Sequence, residues 1–105
     1  MNELIKQVER WSIEKELDKA ESSKQFLKVV EEVGEVAAAL ARNDKDALRD
    51  GIGDVIVTMI ILAQQNDMDL HECLNTAYDE IKNRTGKMVD GVFVKSSDLV
   101  DEATP

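Results

Sequence analysis

Apolar residues recur at intervals of three and four in four stretches of this chain, which is the pattern of amphipathic helices. The first helix starts near Leu4 and ends between Asp18 and Ser23, where polar residues accumulate. The other three are predicted over residues 22–41, 45–65 and 70–85. The sequence therefore predicts an all-α fold that resembles a four-helix bundle.

Polar residues with capping character mark the ends of these helices. Ser22 and Gln25 have the spacing of a capping box at the start of the second helix. Asn43-Asp44 precedes the third helix, and Asp69 precedes the fourth. Thr85-Gly86 is a typical helix end, because glycine adopts the conformation that closes a helix.

The second and third helices carry the strongest apolar patterns. In the second helix, the apolar residues share one arc of the surface: Phe26, Val29, Val30, Val33, Val36, Ala37 and Leu40. Glu32 lies at the border of this arc, and Lys28 and Glu35 lie close beside Glu32. In the third, residues 55–63 are apolar on nearly every side except Thr58, which predicts a central, buried segment. A short four-helix monomer offers this segment too few partners, so the pattern also predicts self-association.

A short extended segment follows the helices. Met88-Val89 and Val92-Phe93-Val94 flank Asp90-Gly91, which is a hairpin signal. Residues 96–105 are polar, and we expect a flexible tail. With no internal repeat or linker, the sequence predicts a single domain over residues 1–105.

The composition supports a helical, cytoplasmic protein. The chain has one Pro, five Gly and 4% aromatic residues, which favours helices over a β-sandwich. Its net charge of −9 disfavours binding to nucleic acid polymers or anionic membranes, which requires clustered basic residues. The single Cys73 excludes an internal disulfide, and no signal sequence or long apolar span is present.

Two acidic clusters lie on the most apolar helices, and they predict a metal site. The first is Glu31-Glu32-Val33-Gly34-Glu35, and the second is Asp50-Gly51-Ile52-Gly53-Asp54. Several like charges are costly to bury together unless a cation neutralises them. Carboxylates three or four residues apart on two packed helices therefore favour Mg²⁺ or a similar hard ion, with Mn²⁺ as a substitute. A di-iron bundle is disfavoured, because its usual Glu-x-x-His pairs are absent from the sequence.

These motifs resemble those of a known enzyme family. The run from Leu27 to Val36, followed by Gly53-Asp54-Val55 and the segment from Ala77 to Met88, is similar to the MazG-like nucleoside triphosphate pyrophosphohydrolases of the all-α NTP pyrophosphatase superfamily. The resemblance implies Mg²⁺-dependent cleavage of a nucleoside triphosphate between the α- and β-phosphates, which yields a nucleoside monophosphate and pyrophosphate. It also implies a homodimer or homotetramer.

By the same resemblance, Glu32, Glu35 and Asp54 are the metal ligands, and Glu31 completes the family signature. The chain departs from the family pattern at one ligand position, where Gly51 replaces a Glu three residues before the Asp. Asp50 lies on the same helical stripe as Asp54 and is the candidate substitute, and the alternative is a site with three carboxylates. Glu31 or Glu35 is the expected proton acceptor for an attacking water.

Several other residues are candidates for substrate binding, each with a simpler structural explanation. Lys28 is placed to pair with a ligand carboxylate or to reach a phosphate. Basic residues near the end of the fourth helix either hold the phosphates or complement the helix dipole: Lys82, Arg84 and Lys87. Asp79 stands where relatives often carry Asn. Trp11 either stacks on the nucleobase or belongs to the core or a subunit interface.

Two hypotheses follow from the sequence. The first is a metal-dependent pyrophosphohydrolase that removes unwanted nucleotides from the cellular pool. The second is a non-catalytic or weakly active helical assembly module that keeps the fold, an alternative raised by Gly51. Release of pyrophosphate separates them.

Overall fold

A computed structural model describes residues 2–99, and most of them are helical. The helices are α1 (Asn2–Glu14), α2 (Ser22–Ala41), α3 (Lys45–Gln65) and α4 (Leu70–Ile81), and the strands are β1 (Gly86–Val89) and β2 (Val92–Lys95). The prediction of a mostly helical chain with a short extended segment is confirmed. The backbone forms two compact units, one up to Cys73 and one from Leu74 onward. The single-domain assignment stays a prediction.

The capping predictions are confirmed at two helices and wrong at one. Asp44 accepts a hydrogen bond from the Ala47 N–H at 3.0 Å. Asp69 does the same for the Glu72 N–H at 2.7 Å, so both aspartates satisfy a backbone donor of the first turn. Ser22 does not cap α2. It is the first helical residue, and its hydroxyl oxygen instead accepts a hydrogen bond from the Asn66 side chain at 2.9 Å.

The first unit is built on the antiparallel pair of α2 and α3. The Gln25 side chain near the start of α2 meets the Thr58 carbonyl in the second half of α3. Further along α2, Val36 packs against Gly51, where an added Cβ would lie 3.1 Å from Val36 Cγ2. Residue numbers therefore rise along α2 as they fall along α3. The buried apolar residues of this unit are Ile5, Val29, Ala39, Ile60, Ile61 and Ala63.

Most of the predicted apolar arc of α2 is exposed in the single chain, and so are Ile56 and Met59 of the segment 55–63, which was predicted to be buried. On α2 and α3, seven apolar side chains are between 37% and 59% exposed, and we call them the apolar face: Phe26, Val30, Val33, Leu40, Ile52, Ile56 and Met59. In an antiparallel helix pair, the residue that directly follows a contact residue lies on the same side of the pair in both helices. The seven residues of the apolar face occupy such positions. A single chain therefore covers only one side of the pair.

The second unit contains a regular β-hairpin. Val89 pairs with Val92 and Gly86 with Lys95 across the two antiparallel strands. Asp90 and Gly91 have φ angles of 50° and 81°, the left-handed pair that a two-residue type I′ turn requires. The hairpin prediction is confirmed.

Two boundary predictions in this unit are wrong. The last helix ends at Ile81 and not near Thr85-Gly86, because Gly86 already belongs to β1 and contacts β2 closely. A Cβ at Gly86 would collide with the Val94 carbonyl oxygen. The flexible tail was also predicted to start too early, at residue 96. In the structure Ser96–Asp98 forms a 3₁₀ turn, and the Ser96 N–H donates a hydrogen bond to the Thr85 carbonyl at 2.7 Å. Residues 100–105 of that tail lie outside the described residues.

Ser12 in α1 offers a test of the packing. Its side chain is fully buried, and its hydroxyl has no hydrogen-bond partner within residues 2–99. We expect Ser12→Ala to stabilise the fold by about 1 kcal/mol, because it removes an unsatisfied buried group and improves helix propensity. Urea unfolding measures this change, with Ser23→Ala at an exposed position as the control. A lower unfolding midpoint for Ser12→Ala would contradict the expectation.

Candidate metal centre

Three carboxylates of α2 converge on one point. Glu31, Glu32 and Glu35 each offer an oxygen within 4.8 Å of the others. Their spacing of one and four residues places them on adjacent positions around one helical turn. Glu31 and Glu35 are exposed, whereas Glu32 is only 9% exposed and faces α3. The sequence placed Glu32 at the border of the apolar arc, and the structure places it inside the packed region.

Glu32 is held in an unfavourable electrostatic environment. Burial raises the pKa of its carboxyl above the ordinary value of 4.5, and the negative charges of Glu35 and Asp54 raise it further. Lys28 opposes this shift, with its Nζ 3.9 Å from Glu32 and 3.4 Å from Glu31. One Glu32 oxygen, Oε2, is buried without a hydrogen-bond partner in the part of the chain that the structure describes.

These features fit a hard divalent cation. The donors are all carboxylate oxygens, which Mg²⁺ and Mn²⁺ prefer over softer ligands. The buried Glu32 oxygen lacks the partner that buried polar atoms normally have, and a cation would supply it. A cation would also relieve the repulsion among the three glutamates. The α2 cluster could therefore hold a metal ion.

The two aspartates of α3 lie next to this cluster without joining it. Asp54 is close enough to Glu32 to raise its pKa, and the two residues line one cavity. Asp50 lines a smaller cavity of about 190 Å³ together with Glu35 and Asp54. Among the described residues, neither aspartate belongs to the group of converging oxygens. The structure therefore brings both helices to the site and places the tightest cluster on α2.

A larger cavity of about 470 Å³ connects the carboxylates to Trp11. We call it the Trp11 cavity. Its walls come from α1, α2, α3 and the 3₁₀ turn Leu17–Lys19, and its lining includes Trp11, Leu17, Gln25, Lys28, Glu32, Asp54, Val57, Thr58 and Ile61. Trp11 is 45% exposed in the single chain, and its expected place at the nucleobase or at a subunit interface stays a prediction. The volume lies in the range typical of small-molecule sites.

Comparison with known proteins shows which family the chain belongs to. The MazG nucleotide pyrophosphohydrolase domain matches residues 21–89, which include α2, α3, α4 and β1. The chain belongs to this family. The resemblance drawn from the acidic motifs is thereby confirmed, and the Glu31–Glu35 and Asp50–Asp54 clusters both lie within the matched region.

One relative of this MazG domain comes from a bacterial virus. It is an uncharacterised 18.2 kDa protein of the rep–hol intergenic region of Haemophilus phage HP1, 41% identical over 70 residues. The match covers 66% of this chain and 43% of the phage protein, so the chain spans less than half of that relative's length. No solved structure matches the chain. Within residues 2–99, no helix has the length and hydrophobicity needed to cross a membrane.

Gly51, where the chain departs from the MazG-like pattern, lies at the contact between α3 and α2. Gly51 is buried, and its missing side chain lets α3 approach α2. A Cβ at this position would lie 3.1 Å from Val36 Cγ2 and 3.7 Å from its Cα. A glutamate here would have to displace Val36 or separate the helices. Asp50, one position earlier, is exposed and borders the small cavity instead.

The other candidate substrate residues belong to the second unit. Lys82 Nζ pairs with Asp79 at 3.2 Å, one helical turn away on α4. Arg84 lines a polar cavity near the hairpin, and Lys87 is an exposed residue of β1. The substrate role of these four residues stays a prediction.

Two residues that the sequence analysis did not assign to the site line its cavities. Arg42 borders the small cavity with Glu35 and Asp50. Gln25, predicted only as part of a cap, lines the Trp11 cavity. Each lies seven residues from a site glutamate: Gln25 precedes Glu32 on α2, and Arg42, the residue directly after α2, follows Glu35. Seven residues are close to two helical turns, so a search for polar residues at this spacing would have found both.

The charge on Glu32 should limit the stability of the metal-free protein. The pKa of Glu32 is higher in the folded state than in the unfolded state, so the folded state binds its proton more tightly. As the pH rises from 4.5 through the raised pKa, the Glu32 carboxyl ionises and wild type loses stability relative to Glu32→Gln. With EDTA at pH 7, we therefore expect a higher urea midpoint for Glu32→Gln than for wild type, and a smaller difference near pH 4.5.

Glu14→Gln, at an exposed position, is the matched control and should show no such pH-dependent gain. Saturating Mg²⁺ should raise the midpoint of wild type and leave that of Glu32→Gln nearly unchanged. Equal midpoints of wild type and Glu32→Gln at pH 7 in EDTA would show that the buried charge carries no penalty.

Proposed function

We propose that this chain is a Mg²⁺-dependent nucleoside triphosphate pyrophosphohydrolase, with Mn²⁺ as a substitute ion. It would hydrolyse an NTP or dNTP between the α- and β-phosphates to a nucleoside monophosphate and pyrophosphate. The observation that carries the proposal is the buried oxygen of Glu32, which has no hydrogen-bond partner among residues 2–99 and lies beside Glu31 and Glu35, in a chain of the MazG family. Removal of unwanted nucleotides from the pool is the role we assign to this reaction.

Four carboxylates would hold the cation, namely Glu32, Glu35, Asp54 and Asp50. When bound, Mg²⁺ would neutralise charge on the polyphosphate and lower the cost of the developing negative charge. The exposed carboxylates of the α2 cluster, Glu31 and Glu35, are the candidates to take a proton from the attacking water. Glu31 is the simpler choice, because its oxygens are not needed as ligands in the family pattern.

Basic residues around the carboxylates would bind the phosphates. Lys28 already pairs with Glu31, and a cation at the glutamates would free it to reach a phosphate. Arg42 borders the cavity between Glu35 and Asp50 and is placed for the same task. From the second unit we keep Lys82, Arg84 and Lys87 as phosphate contacts and Asp79 as a substrate contact.

The active form would be a homodimer or homotetramer. The apolar face of α2 and α3 supports this, since seven large side chains remain exposed on one side of the helix pair. On α2, Phe26, Val30, Val33 and Leu40 follow steps of four, three and seven residues, the spacing of a helix-packing seam. A second copy would place the same two helices against it and complete a four-helix bundle.

A substrate screen tests the proposal. The purified chain is incubated with each common NTP and dNTP in Mg²⁺, Mn²⁺ or EDTA, and pyrophosphate and orthophosphate are measured separately. We expect pyrophosphate without orthophosphate from at least one nucleotide, only with a divalent ion. Orthophosphate release would identify a different cleaved bond, and no release from any nucleotide would reject the enzyme.

The second candidate is a non-catalytic or weakly active helical assembly module. It is favoured by Gly51 and by the position of Asp50 and Asp54 outside the converging oxygens, because both leave the α3 half of the site incomplete in the chain as described. This module would bind Mg²⁺ and self-associate without releasing pyrophosphate. Stabilisation by Mg²⁺ together with no turnover in the screen would support it.

A further inference from the structure

The Trp11 cavity has the site carboxylates at one end and an aromatic residue toward the other. Glu32, Asp54 and Lys28 lie at the carboxylate end, where the proposed function places the phosphates. Trp11 and Leu17 lie toward the other end, where the Glu21–Lys24 ion pair at the start of α2 also belongs to the lining. A nucleotide is arranged in the same way, since its sugar separates a charged phosphate from a flat, largely apolar base. The base of a nucleotide bound at the carboxylates therefore belongs toward Trp11.

Gln25 lies on α2 at the right distance from the metal site to meet that base. It precedes Glu32 by seven residues, which corresponds to roughly 10 Å along a helix. It also lines the Trp11 cavity and is half-buried. A phosphate bound near Glu32 and a base near Trp11 would bring the edge of the base past Gln25.

The orientation of the Gln25 amide is fixed by its neighbour. Its Nε2 donates a hydrogen bond to the Thr58 main-chain carbonyl at 3.0 Å. Because a carbonyl oxygen only accepts, the amide nitrogen must face α3. One of its two N–H groups is used there, and the amide oxygen is the acceptor that remains for a ligand, beside the second N–H. The Thr58 hydroxyl donates to the Val55 carbonyl at 2.7 Å, so its proton is already used.

Apart from Trp11, whose indole N–H only donates, the remaining polar side chains of the cavity are charged. They are Glu21, Lys24, Lys28, Glu32 and Asp54. Gln25 is thus the neutral amide in this lining, and a fixed amide oxygen distinguishes an N–H donor from a carbonyl acceptor on the base. The exocyclic amino group of cytosine or adenine would donate to it, whereas the carbonyl at the same position of uracil or hypoxanthine would face it with a second acceptor.

We propose that Gln25 is a specificity residue that selects nucleotides whose base carries an exocyclic amino group over their carbonyl counterparts. This inference rests on the proposed function, which sets the phosphate end of the cavity. It goes beyond that function because it names the chemical class of the base and the residue that reads it.

The single Trp of the chain provides a direct binding signal. Trp11 fluorescence is followed while CMP or UMP, and AMP or IMP, are titrated into the full chain with Mg²⁺, each pair differing by an amino group and a carbonyl. We expect CMP to bind at least about tenfold more tightly than UMP, or AMP at least about tenfold more tightly than IMP. One hydrogen bond gained and one repulsion avoided are enough for this ratio of dissociation constants. Gln25→Met, which keeps the length of the side chain, should reduce this ratio to about twofold or less.

Gln7→Met is the matched control, because Gln7 is exposed on α1 and should leave the ratio unchanged. Equal affinities within both pairs in wild type, no fluorescence response at all, or an unchanged ratio in Gln25→Met would each overturn the inference. Pyrophosphate release by a wild type that lacks amino selectivity would reject only the role of Gln25. An affinity ratio that depends on Gln25, found without pyrophosphate release, would reject the proposed enzymatic activity and support a nucleotide-binding site.

Discussion

Replacing Asp54 or Glu35 with Ala should reduce Mg²⁺-dependent pyrophosphate release by about a thousandfold or more while the protein stays folded. Each change removes a carboxylate that the proposed site uses to hold the cation, and the charge stabilisation from a catalytic metal contributes several kcal/mol to such reactions. Folding should survive, because both side chains now raise the pKa of buried Glu32 through their negative charge. Their removal relieves repulsion in the metal-free state.

Initial rates of pyrophosphate release, with circular dichroism on the same samples, measure this prediction. Glu14→Ala removes an exposed carboxylate of α1 and is the matched control, with activity close to wild type. Rates near wild type in folded Glu35→Ala and Asp54→Ala would show that the catalytic metal, if any, lies elsewhere. A loss in Glu35→Ala alone would restrict the site to the α2 cluster.

Placing a charge on the apolar face should separate the subunits. Val30→Lys or Val33→Lys puts an ammonium group at the centre of the seam formed by Phe26, Val30, Val33 and Leu40, where a second copy would bury it without a partner. An unpaired buried charge costs several kcal/mol, so we expect the dissociation constant of the oligomer to rise by about a hundredfold or more.

Light scattering after gel filtration, over a range of protein concentrations, measures the mass. Val92→Lys makes the same change at a side chain that is 64% exposed on the hairpin and should keep the mass of wild type. A monomeric wild type, or variants with unchanged mass at all concentrations, would exclude this face as the interface. Retained activity in a monomeric Val33→Lys variant would show that one chain contains the whole site.

Much of the secondary structure could be predicted because its causes are local. The bounds of α2 and α3 follow from apolar spacing and polar ends, and Asp44 and Asp69 cap the helices that they precede. The errors arose where a distant residue competes for a local group. Asn66 binds the Ser22 hydroxyl that was expected to cap α2, and β2 draws Gly86 out of the expected end of α4.

In the candidate site, too, local features could be predicted from the sequence and long-range contacts could not. Spacing along α2 was enough to place Glu35 beside Glu32, because residues three apart are neighbours on a helix. It pointed Glu31 further round the helix, and the structure brings its carboxylate to the other two. Spacing could not reveal that Gly51 faces Val36, with only 3.1 Å between an added Cβ and Val36 Cγ2. It also did not place Gln25 near Thr58, since that contact joins residues 33 positions apart in the chain.

The amino-acid sequence alone determined the helices, the hairpin turn and the pairing of Glu32 with Glu35, because each depends on backbone geometry within a few residues. Only the tertiary structure decided that Glu32 is buried, that most of the apolar arc remains exposed, and that Trp11 shares a cavity with Glu32 and Asp54. These features depend on which side of one helix faces another. Periodicity shows that a helix has an apolar side, but the packing of α1, α2 and α3 selects which residues that side covers.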